Sequence, residues 1–299
     1  MKLSYIKIEP GAKTIPITSK EGYHHKKENT HYSLHIFVDL TNKRLKVNEH
    51  KISNYDQFTD YLEFICRENG LTKIIITASE EEWQELFTRG FLLEALHPTF
   101  FRGKPGFHLS KFFSQERKHS CCWDREEHVL EQARKVTGAP EKLPDVCFIR
   151  TATGKDIPQL IELFTQVFKT YPTPLNDPLY LEKAMENASV FKVLLHQNQI
   201  VSAASLDIDY RTLSAELTDC ATLPSYRGQG LMSHLVQELE KEAISLGLIT
   251  LYTIARSLST GINAVFARFG FKYYGRFVNN CDICGQFQDM NLWSKQLKQ

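Results

Sequence analysis

The second half of the chain alternates between stretches of helical and of strand periodicity in its apolar residues. From Gly230 to Leu246 apolar residues recur every three or four positions, which predicts an amphipathic helix, and Gly247 is a typical residue to end it. Alternating or continuous apolar runs on either side predict strands. The predicted elements are a strand at 147–150, helices at 157–168 and 180–187, strands at 191–196, 200–210 and 214–223, the helix at 230–246, a strand at 249–254, a helix at 262–269, and strands at 271–278 and 287–293.

The first half repeats the end of this order. A strand at 73–77 and a helix at 80–88 lead to Arg89-Gly90-Phe91 and to two strands that end in Ser110-Lys111. The later unit passes through Phe269-Gly270-Phe271 and ends in Ser294-Lys295. This pattern fits a degenerate second copy of one fold, and it equally fits an unrelated strand–helix–strand–strand unit with common turn residues. The first half has no counterpart of the loop at 226–232, so a copy is not expected to bind the same ligand.

The length of 299 residues favours two domains. The segment 138–144 contains two prolines that cannot continue a helix, which is typical of a linker. We therefore expect an N-terminal α/β domain over residues 1–140, linker included, and a second domain over residues 146–297.

Composition and charge exclude several partners. Apolar residues make up 42% of the chain and charged residues 24%, as in ordinary globular proteins. The 36 basic and 35 acidic residues nearly cancel, so neither a nucleic-acid nor a polybasic membrane footprint is expected. The apolar runs are too short to span a bilayer and the first residues lack a signal-peptide pattern. We expect a cytoplasmic protein that acts on a small molecule; its oligomeric state is left open.

The seven cysteines do not form a framework. Cys281 and Cys284 form a CxxC, but a zinc site needs a second matched pair, and a redox CxxC is expected to open a helix after a strand. We expect reduced cysteines and no metal.

The segment after the strand at 214–223 has the residues expected of an anion site. Pro224, Gly228 and Gly230 let the backbone turn sharply before an amphipathic helix begins. Glycines there allow several N–H groups to point at one spot, and the helix N-terminus adds its own donors and partial positive charge. A pyrophosphate suits this arrangement. The spacing is neither a P-loop nor a dinucleotide GxGxxG, and a plain tight strand-to-helix connection is the alternative.

Two motifs carry a family resemblance. Pro-x-Tyr-Arg-Gly-x-Gly at 224–230 resembles the acyl-CoA loop of the GNAT superfamily of N-acetyltransferases, and Asn263 to Phe271 is similar to that family's segment after the fifth strand. The resemblance covers residues 146–297; Met232 departs from the small residue usual at its position. It implies an α/β (α+β) fold, a mixed and mainly antiparallel sheet flanked by helices, with acetyl-CoA as acetyl donor. The implied CoA-binding residues are Thr222, Leu223, Arg227, Gly228, Gln229, Gly230, Leu231, Met232, Asn263 and Phe266.

A narrower resemblance is to the beta-lysine N6-acetyltransferase subfamily. The residues that carry it are Tyr171–Leu175, Tyr252–Arg256, Gly261–Asn263, Asn279-Asn280 and Asp289–Trp293. It implies that the substrate is (3S)-3,6-diaminohexanoate, acetylated on its terminal amine to give a compatible solute. Another small amine or lysine-type acceptor, or a catalytically weak acyl-CoA-binding regulatory module, are the alternatives.

Direct acetyl transfer needs a neutral amine. A lysine-like ammonium has a pKa of about 10.4, so freeing the amine at pH 7 costs roughly 4.6 kcal/mol and a carboxylate base is expected. Asp219 and Glu216 lie on one strand, three residues apart, and point to opposite faces. We favour Asp219, nearer Pro224. A backbone N–H near Leu223 is expected to polarise the thioester carbonyl.

The GNAT resemblance implies that a tyrosine in the helix after the fifth strand protonates the thiolate leaving group. Phe266 stands at that position here and cannot donate a proton. Tyr252, Tyr273 or water are the alternatives. For the acceptor, Arg256 is the predicted partner of the carboxylate, and Tyr171, Asn279 and Asn280 are candidates for the remaining polar groups.

Overall fold

A computed structural model describes residues 4–11, 14–17, 22–138, 142–283 and 285–297. The strands in these ranges are β1 (Ser4–Ile6), β2 (Ile15–Ile17), β3 (Tyr23–Glu28), β4 (Tyr32–Asp39), β5 (Arg44–Ile52), β6 (Lys73–Ala78), β7 (Leu92–Phe101), β8 (Lys104–Phe112), β9 (Cys147–Thr151), β10 (Ser189–His196), β11 (Gln199–Asp209), β12 (Ser214–Thr222), β13 (Thr250–Arg256), β14 (Lys272–Ile283) and β15 (Gln286–Gln296). The helices are α1 (Tyr55–Glu68), α2 (Trp83–Thr88), α3 (Gln115–Lys118), α4 (Trp123–Arg134), α5 (Ile157–Val167), α6 (Pro178–Asn187), α7 (Leu231–Ser245) and α8 (Thr260–Arg268).

Thirteen of the described strands form one sheet, in the order β3-β4-β5-β6-β8-β7-β14-β15-β13-β12-β11-β10-β9. Two neighbouring pairs, β5 with β6 and β12 with β13, are parallel, and the other pairs are antiparallel. The expected mixed, mainly antiparallel sheet flanked by helices is confirmed.

The C-terminal half follows the predicted order, with element ends shifted by a few residues at most places. Apolar residues of β10 to β13 alternate with residues of the opposite face and pack against α5 and α7. Leu235 and Leu239 of α7 are completely buried, as the helical spacing predicts. The turn between β10 and β11 uses Gln197 and Asn198 at positive φ, a backbone that asparagine tolerates well.

The N-terminal half has its own core, formed by β4 to β6 and α1. Asn54 begins α1 by accepting a hydrogen bond from the Gln57 N–H at 3.0 Å, and Phe58, Leu62 and Ile65 bury one face of the helix. β3 to β5 and α1 were not predicted, although Leu34, Ile36 and Val38 alternate along β4 and Phe58, Leu62 and Ile65 recur at helical spacing.

The two halves have a similar strand order. Two antiparallel pairs from the β3 end of the sheet, and three from the β9 end, lead to a parallel pair and then to a hairpin. The two hairpins meet at the middle through Gly275 of β14 and Ala95 of β7. Gly275 has φ 146°, and a Cβ there would lie 2.3 Å from the Glu94 carbonyl oxygen. Glycine is therefore required where the halves join.

The polar helix expected between the halves is α4. Its Leu130 and Ala133 belong to the core of the C-terminal half, so this core begins before the predicted linker, of which residues 139–141 lie outside the described part. Within the described ranges, no helix is both long enough and apolar enough to cross a membrane.

Candidate active site

The segment between β12 and α7 forms a tight turn lined with backbone donors. Pro224–Tyr226 make one turn of 3-10 helix, after which Gly228 and Gly230 adopt φ 79° and 71°. Gly230 is the N-cap of α7 and has no side chain to satisfy the first amides of this fifteen-residue helix. These amides and the helix dipole have the arrangement expected of an anion site.

β12 and β13 separate beside this turn. Their parallel pairing includes Ser214 to Glu216 and stops there, although both strands continue. A cavity of about 500 Å³ opens between the diverging strands, the turn and α8. This volume is within the range of sites that hold a small ligand or cofactor. Its walls include these predicted CoA-binding residues: Thr222, Arg227, Gly228, Gly230, Leu231, Met232 and Phe266.

Leu223 does not serve the role predicted for its backbone. Its N–H donates to the Val201 carbonyl of the neighbouring strand at 2.9 Å and is therefore used within the sheet. Neighbouring amides of a strand point to opposite sides, so the Thr222 N–H points toward the cavity. The Thr222 carbonyl points the same way and accepts from Arg227 Nε at 3.1 Å. The donor expected near Leu223 is therefore the N–H of Thr222.

Asn263 is a structural residue, which corrects its predicted place on the pantetheine arm. Its side chain is completely buried; Nδ2 donates to the carbonyls of Arg256 and Ser259 at 2.9 and 2.8 Å. Its Oδ1 accepts from Asn291 Nδ2 at 3.0 Å and from Trp293 Nε1 at 2.8 Å. With four internal hydrogen bonds, the amide ties α8 to β13 and β15 and has no capacity left for a ligand.

Gln229 is exposed, and its side chain lies 3.5 Å from the Ser225 carbonyl, outside the cavity wall. Phe266 is completely buried and packs edge-on against Phe271, so the wall at this point is apolar and offers no proton. Tyr273, one alternative donor, packs against Trp293 and is not part of the wall.

Sequence reasoning missed Arg268 in the last turn of α8. Its side chain lines the cavity, its Nη1 lies 3.5 Å from Ser233 Oγ, and its buried Nε has no partner among the described residues. An unpaired buried donor at a cavity wall favours an anionic or acceptor-rich ligand. The basic residue just before Phe269-Gly270 was the available signal.

Asp219 lies on the wall of the cavity at a bulge in β12. It has φ 52°, and the pairing of β11 with β12 shifts register next to it. The carboxylate is 8% exposed and accepts a hydrogen bond from Ser205 Oγ at 2.7 Å. Burial raises the pKa of Asp219 to about 6, although hydrogen bonds from the Ser205 and Tyr171 hydroxyls oppose the shift. Such a carboxylate is ionised at neutral pH and can still accept a proton.

Tyr171 lies over this carboxylate, at the cavity wall, with its ring against Phe168 at 4.3 Å between centroids. Burial, followed by the Asp219 charge, raises the pKa of Tyr171, so its hydroxyl stays protonated. Arg256, the last residue of β13, also lines the cavity. The structure thus brings Asp219, Tyr171 and Arg256 together around one space.

Glu216 points to the other face of the sheet from the core, next to Asp207 of β11 and Tyr252 of β13. Burial raises the pKa of Glu216 to about 7, and the Asp207 charge adds to this rise. The residue is not part of the cavity wall beside the CoA turn, so the structure favours Asp219 over Glu216 as the group nearest that space.

Asn279 and Asn280 hold the fold together and do not reach the cavity. The Asn279 amide donates to the carbonyls of Glu116, Arg117 and His119 at 2.9–3.2 Å. The Asn280 carbonyl accepts from Arg44 at 3.0 Å and from Arg117 at 3.2 Å. Both predicted substrate contacts are corrected, because these groups join α3 and β5 to β14.

Cysteines near the site are poor nucleophiles. Cys220 lines the cavity, and burial together with the Asp219 and Glu216 charges raises the pKa of its thiol. Cys281 is buried, and its CxxC partner, Cys284, lies outside the described residues. The described residues contain no group of three or more side chains placed to hold a metal ion.

A glycine-rich turn at a helix N-terminus, beside a cavity with a buried carboxylate of raised pKa, is the arrangement expected of a protein that binds a phosphate-bearing ligand and moves a proton. The sequence matches the Acetyltransferase (GNAT) family over residues 157–271. N-acetyltransferase YodP of Bacillus subtilis is 34% identical over 262 residues, which are 87% of this chain and 94% of that protein.

Two further relatives are beta-lysine N(6)-acetyltransferases. That of Methanococcus maripaludis is 34% identical over 237 residues, 79% of this chain and 86% of its own length. That of Methanosarcina mazei is 30% identical over 268 residues, 82% of this chain and 99% of its own length. The chain belongs to the GNAT family and is an acetyl-CoA-dependent N-acetyltransferase.

Proposed function

We propose that this enzyme acetylates the terminal amine of beta-lysine, 3,6-diaminohexanoate, to give N6-acetyl-beta-lysine. The observation that carries the proposal is the carboxylate of Asp219, buried at the wall of the cavity where β12 and β13 separate. An ammonium is the acceptor group that such a carboxylate attracts and deprotonates. The names of two relatives at 34% and 30% identity support beta-lysine among the possible amines.

The residues of the cavity fit acetyl-CoA. The amides of Gly228 to Met232 suit the pyrophosphate, and the unpaired Nε of Arg268 suits a further acceptor of the nucleotide part. When bound, acetyl-CoA supplies an activated acetyl thioester. The Thr222 N–H, directed toward the cavity, would donate to the thioester carbonyl.

Asp219 acts as the base in this proposal. It accepts the proton of the acceptor ammonium, and the Tyr171 hydroxyl beside it orients the carboxylate and the incoming amine. Phe266 keeps that part of the wall dry, and water, reaching the cavity from its open side, would protonate the departing thiolate. Since a thiol has a pKa near 8.5, its thiolate leaves readily without a dedicated acid.

A thiol-release assay with acetyl-CoA tests the proposal directly, with beta-lysine, alpha-lysine and spermidine as separate acceptors. We expect kcat/KM to be at least tenfold higher for beta-lysine than for either other amine. Equal turnover of all three, or none with beta-lysine, would overturn the substrate assignment and leave the acetyltransferase class intact.

A further inference from the structure

The opposite face of the sheet forms a second, charged part of the interior. Lys46 of β5 lies between Leu45 and Val47, which are both core residues, so its side chain points away from α1. Glu216 lies between Ala215 and Leu217, and its side chain likewise points away from the core helices. Both halves therefore present a charged residue on the face opposite to these neighbouring core residues.

Lys46 and Glu216 occupy equivalent positions in the two halves. Each is the third residue of its parallel pairing, with Lys46 opposite Ile75 and Glu216 opposite Tyr252. The following strands, β8 and β15, agree with this equivalence, because Ile75 pairs with Ser110 and Tyr252 pairs with Ser294. Ser110 and Ser294 are the first residues of the two Ser-Lys pairs. An equivalence within a duplicated unit thus places a cation in one half where the other has an anion.

The sheet curls so that these two positions approach each other. Arg211, after β11, forms an ion pair with Glu49 of β5, and Arg102, after β7, donates to the Arg211 carbonyl at 2.7 Å. Thr250 of β13 donates to Thr99 Oγ1 of β7 at 2.7 Å. These contacts close the sheet from β5 to β12 around a cleft. Its floor is a small apolar cluster of residues from both halves, including Phe277, Met290 and Leu292.

Charges in this cleft lack partners of their own. Asp207 lies directly across from Glu216 on the neighbouring strand, an arrangement of like charges that is unfavourable without a nearby cation. Among the described residues, neither Glu216 nor Lys46 has an oppositely charged atom within 4.0 Å. Lys46 is exposed, and the charged groups that act on it are Arg44, Glu216, Asp39 and Asp207. Lys46, Glu216 and Asp207 therefore face this cleft without forming an ion pair with one another among the described residues.

The geometry points to this cleft as the site for the zwitterionic end of the acceptor: Lys46 of the N-terminal half binds its carboxylate, and Glu216 with Asp207 binds its second ammonium. Glu216 precedes Asp219 by three residues, about 10 Å along an extended strand. The bulge brings Asp219 to Ser205, which lies on the same face as Asp207 and Glu216, so the two carboxylates share a face and do not point to opposite faces as their spacing predicted. An extended six-carbon diamino acid fits this span, with its terminal amine at Asp219 and its zwitterionic end in the cleft. The inference rests on the proposed function and makes the N-terminal half part of the active site.

Arg256 is the competing partner of the carboxylate. Arg256 follows Tyr252, the partner of Glu216, by four residues and ends β13 at the wall of the cavity, away from Glu216. A carboxylate at the opposite end of the acceptor therefore lies closer to Lys46. The two assignments make different predictions for single variants.

The test compares wild type with Lys46→Met on beta-lysine and on its carboxamide, in which the carboxylate is replaced by a neutral group. We expect Lys46→Met to lower kcat/KM for beta-lysine about 10- to 100-fold, mainly through KM, since a hydrogen bond to a charged group is lost. Activity on the carboxamide is expected to change less than threefold, and the KM for acetyl-CoA less than twofold. Lys51→Met, an exposed lysine of the same strand, is the matched control and is expected to behave as wild type.

The companion variant, Glu216→Gln, is assayed with beta-lysine and with 6-aminohexanoate, which lacks the second amine. A loss of kcat/KM confined to beta-lysine supports binding of the second ammonium by Glu216. An equal loss of kcat/KM on both acceptors assigns Glu216 to catalysis and overturns the inference. The inference is also overturned if Lys46→Met lowers kcat/KM equally for beta-lysine and for its carboxamide. It is likewise overturned if Arg256→Met lowers kcat/KM for beta-lysine and Lys46→Met does not. If wild type does not turn over beta-lysine at all, the proposed function fails; if it does and Lys46→Met is silent, only this inference fails.

Discussion

Replacing Asp219 with asparagine tests whether this carboxylate is the general base of acetyl transfer. The amide keeps the size of the side chain and an oxygen that can accept the 2.7 Å hydrogen bond from Ser205 Oγ, but it cannot take up a proton. General base catalysis contributes about 10²–10⁴ in rate, so we expect Asp219→Asn to lower kcat by about 100-fold or more. The KM for acetyl-CoA is expected to stay within twofold, because the backbone amides of the CoA turn are unchanged.

The pH dependence follows from the raised pKa of Asp219, about 6. The carboxylate is the active form, so wild-type kcat is expected to fall as the pH drops through about 6 and to level off above it. In Asp219→Asn this step is expected to disappear. Thiol release measured from pH 5 to 9 at saturating acetyl-CoA gives both results. A rate loss below threefold, or a step near pH 6 that persists in the variant, would refute the role of Asp219 as base.

Ser205→Ala provides the internal control for this reasoning. It removes one hydrogen bond that holds the pKa of Asp219 down, so the pH step is expected to move to higher pH while the maximal rate changes little. A step that moves to lower pH would contradict the assignment of the titrating group.

Three other outcomes are expected. Arg268→Met raises the KM for acetyl-CoA about five- to tenfold with little change in kcat, measured by thiol release; an unchanged KM would exclude Arg268 from the CoA site. Asn263→Ala destabilises the fold by about 2 kcal/mol or more, because it leaves buried partners unsatisfied, and thermal unfolding is expected to show this without a change in acetyl-CoA KM. Gly275→Ala lowers Tm more than the control Gly285→Ala, whose Cβ meets nothing within 4 Å; equal losses would contradict the steric argument at the junction of the halves.

The sequence predicts β12, the glycine turn and α7 well because the relevant information is local. Glycines at positive φ and helical spacing of leucines act within a few residues of where they stand. The cavity beside them also follows, since the residues of the turn line it. The same reasoning places Asp219 on the cavity wall, although the bulge that turns it toward Ser205 depends on pairing with β11.

Features that depend on distant partners escaped prediction. Asn263 was expected at the ligand, yet its side-chain oxygen accepts a hydrogen bond from Trp293 Nε1, thirty residues later. The sequence could not say which N–H near Leu223 is free, because the register with β11 fixes which N–H faces the neighbouring strand. Asn279 was expected at the substrate, but α3 supplies the carbonyls that its amide binds.

The N-terminal half illustrates the same limit. The Ser-Lys pairs at 110–111 and 294–295, one in each half, are visible in the sequence, and the similar strand order of the two halves supports, as a proposal, a duplicated unit. That Lys46 approaches Glu216 depends on closure of the sheet by Arg211 and Glu49, which are 162 positions apart. No local pattern encodes such a contact.

The central claim, transfer to the terminal amine of beta-lysine, is tested most directly by identifying the product. With acetyl-CoA labelled with ¹³C in the acetyl carbonyl, NMR shows which nitrogen carries the label after one turnover of beta-lysine. We expect the ¹³C label on N6 alone. Label on the 3-amino group, or no labelled product while another amine is acetylated, would contradict it.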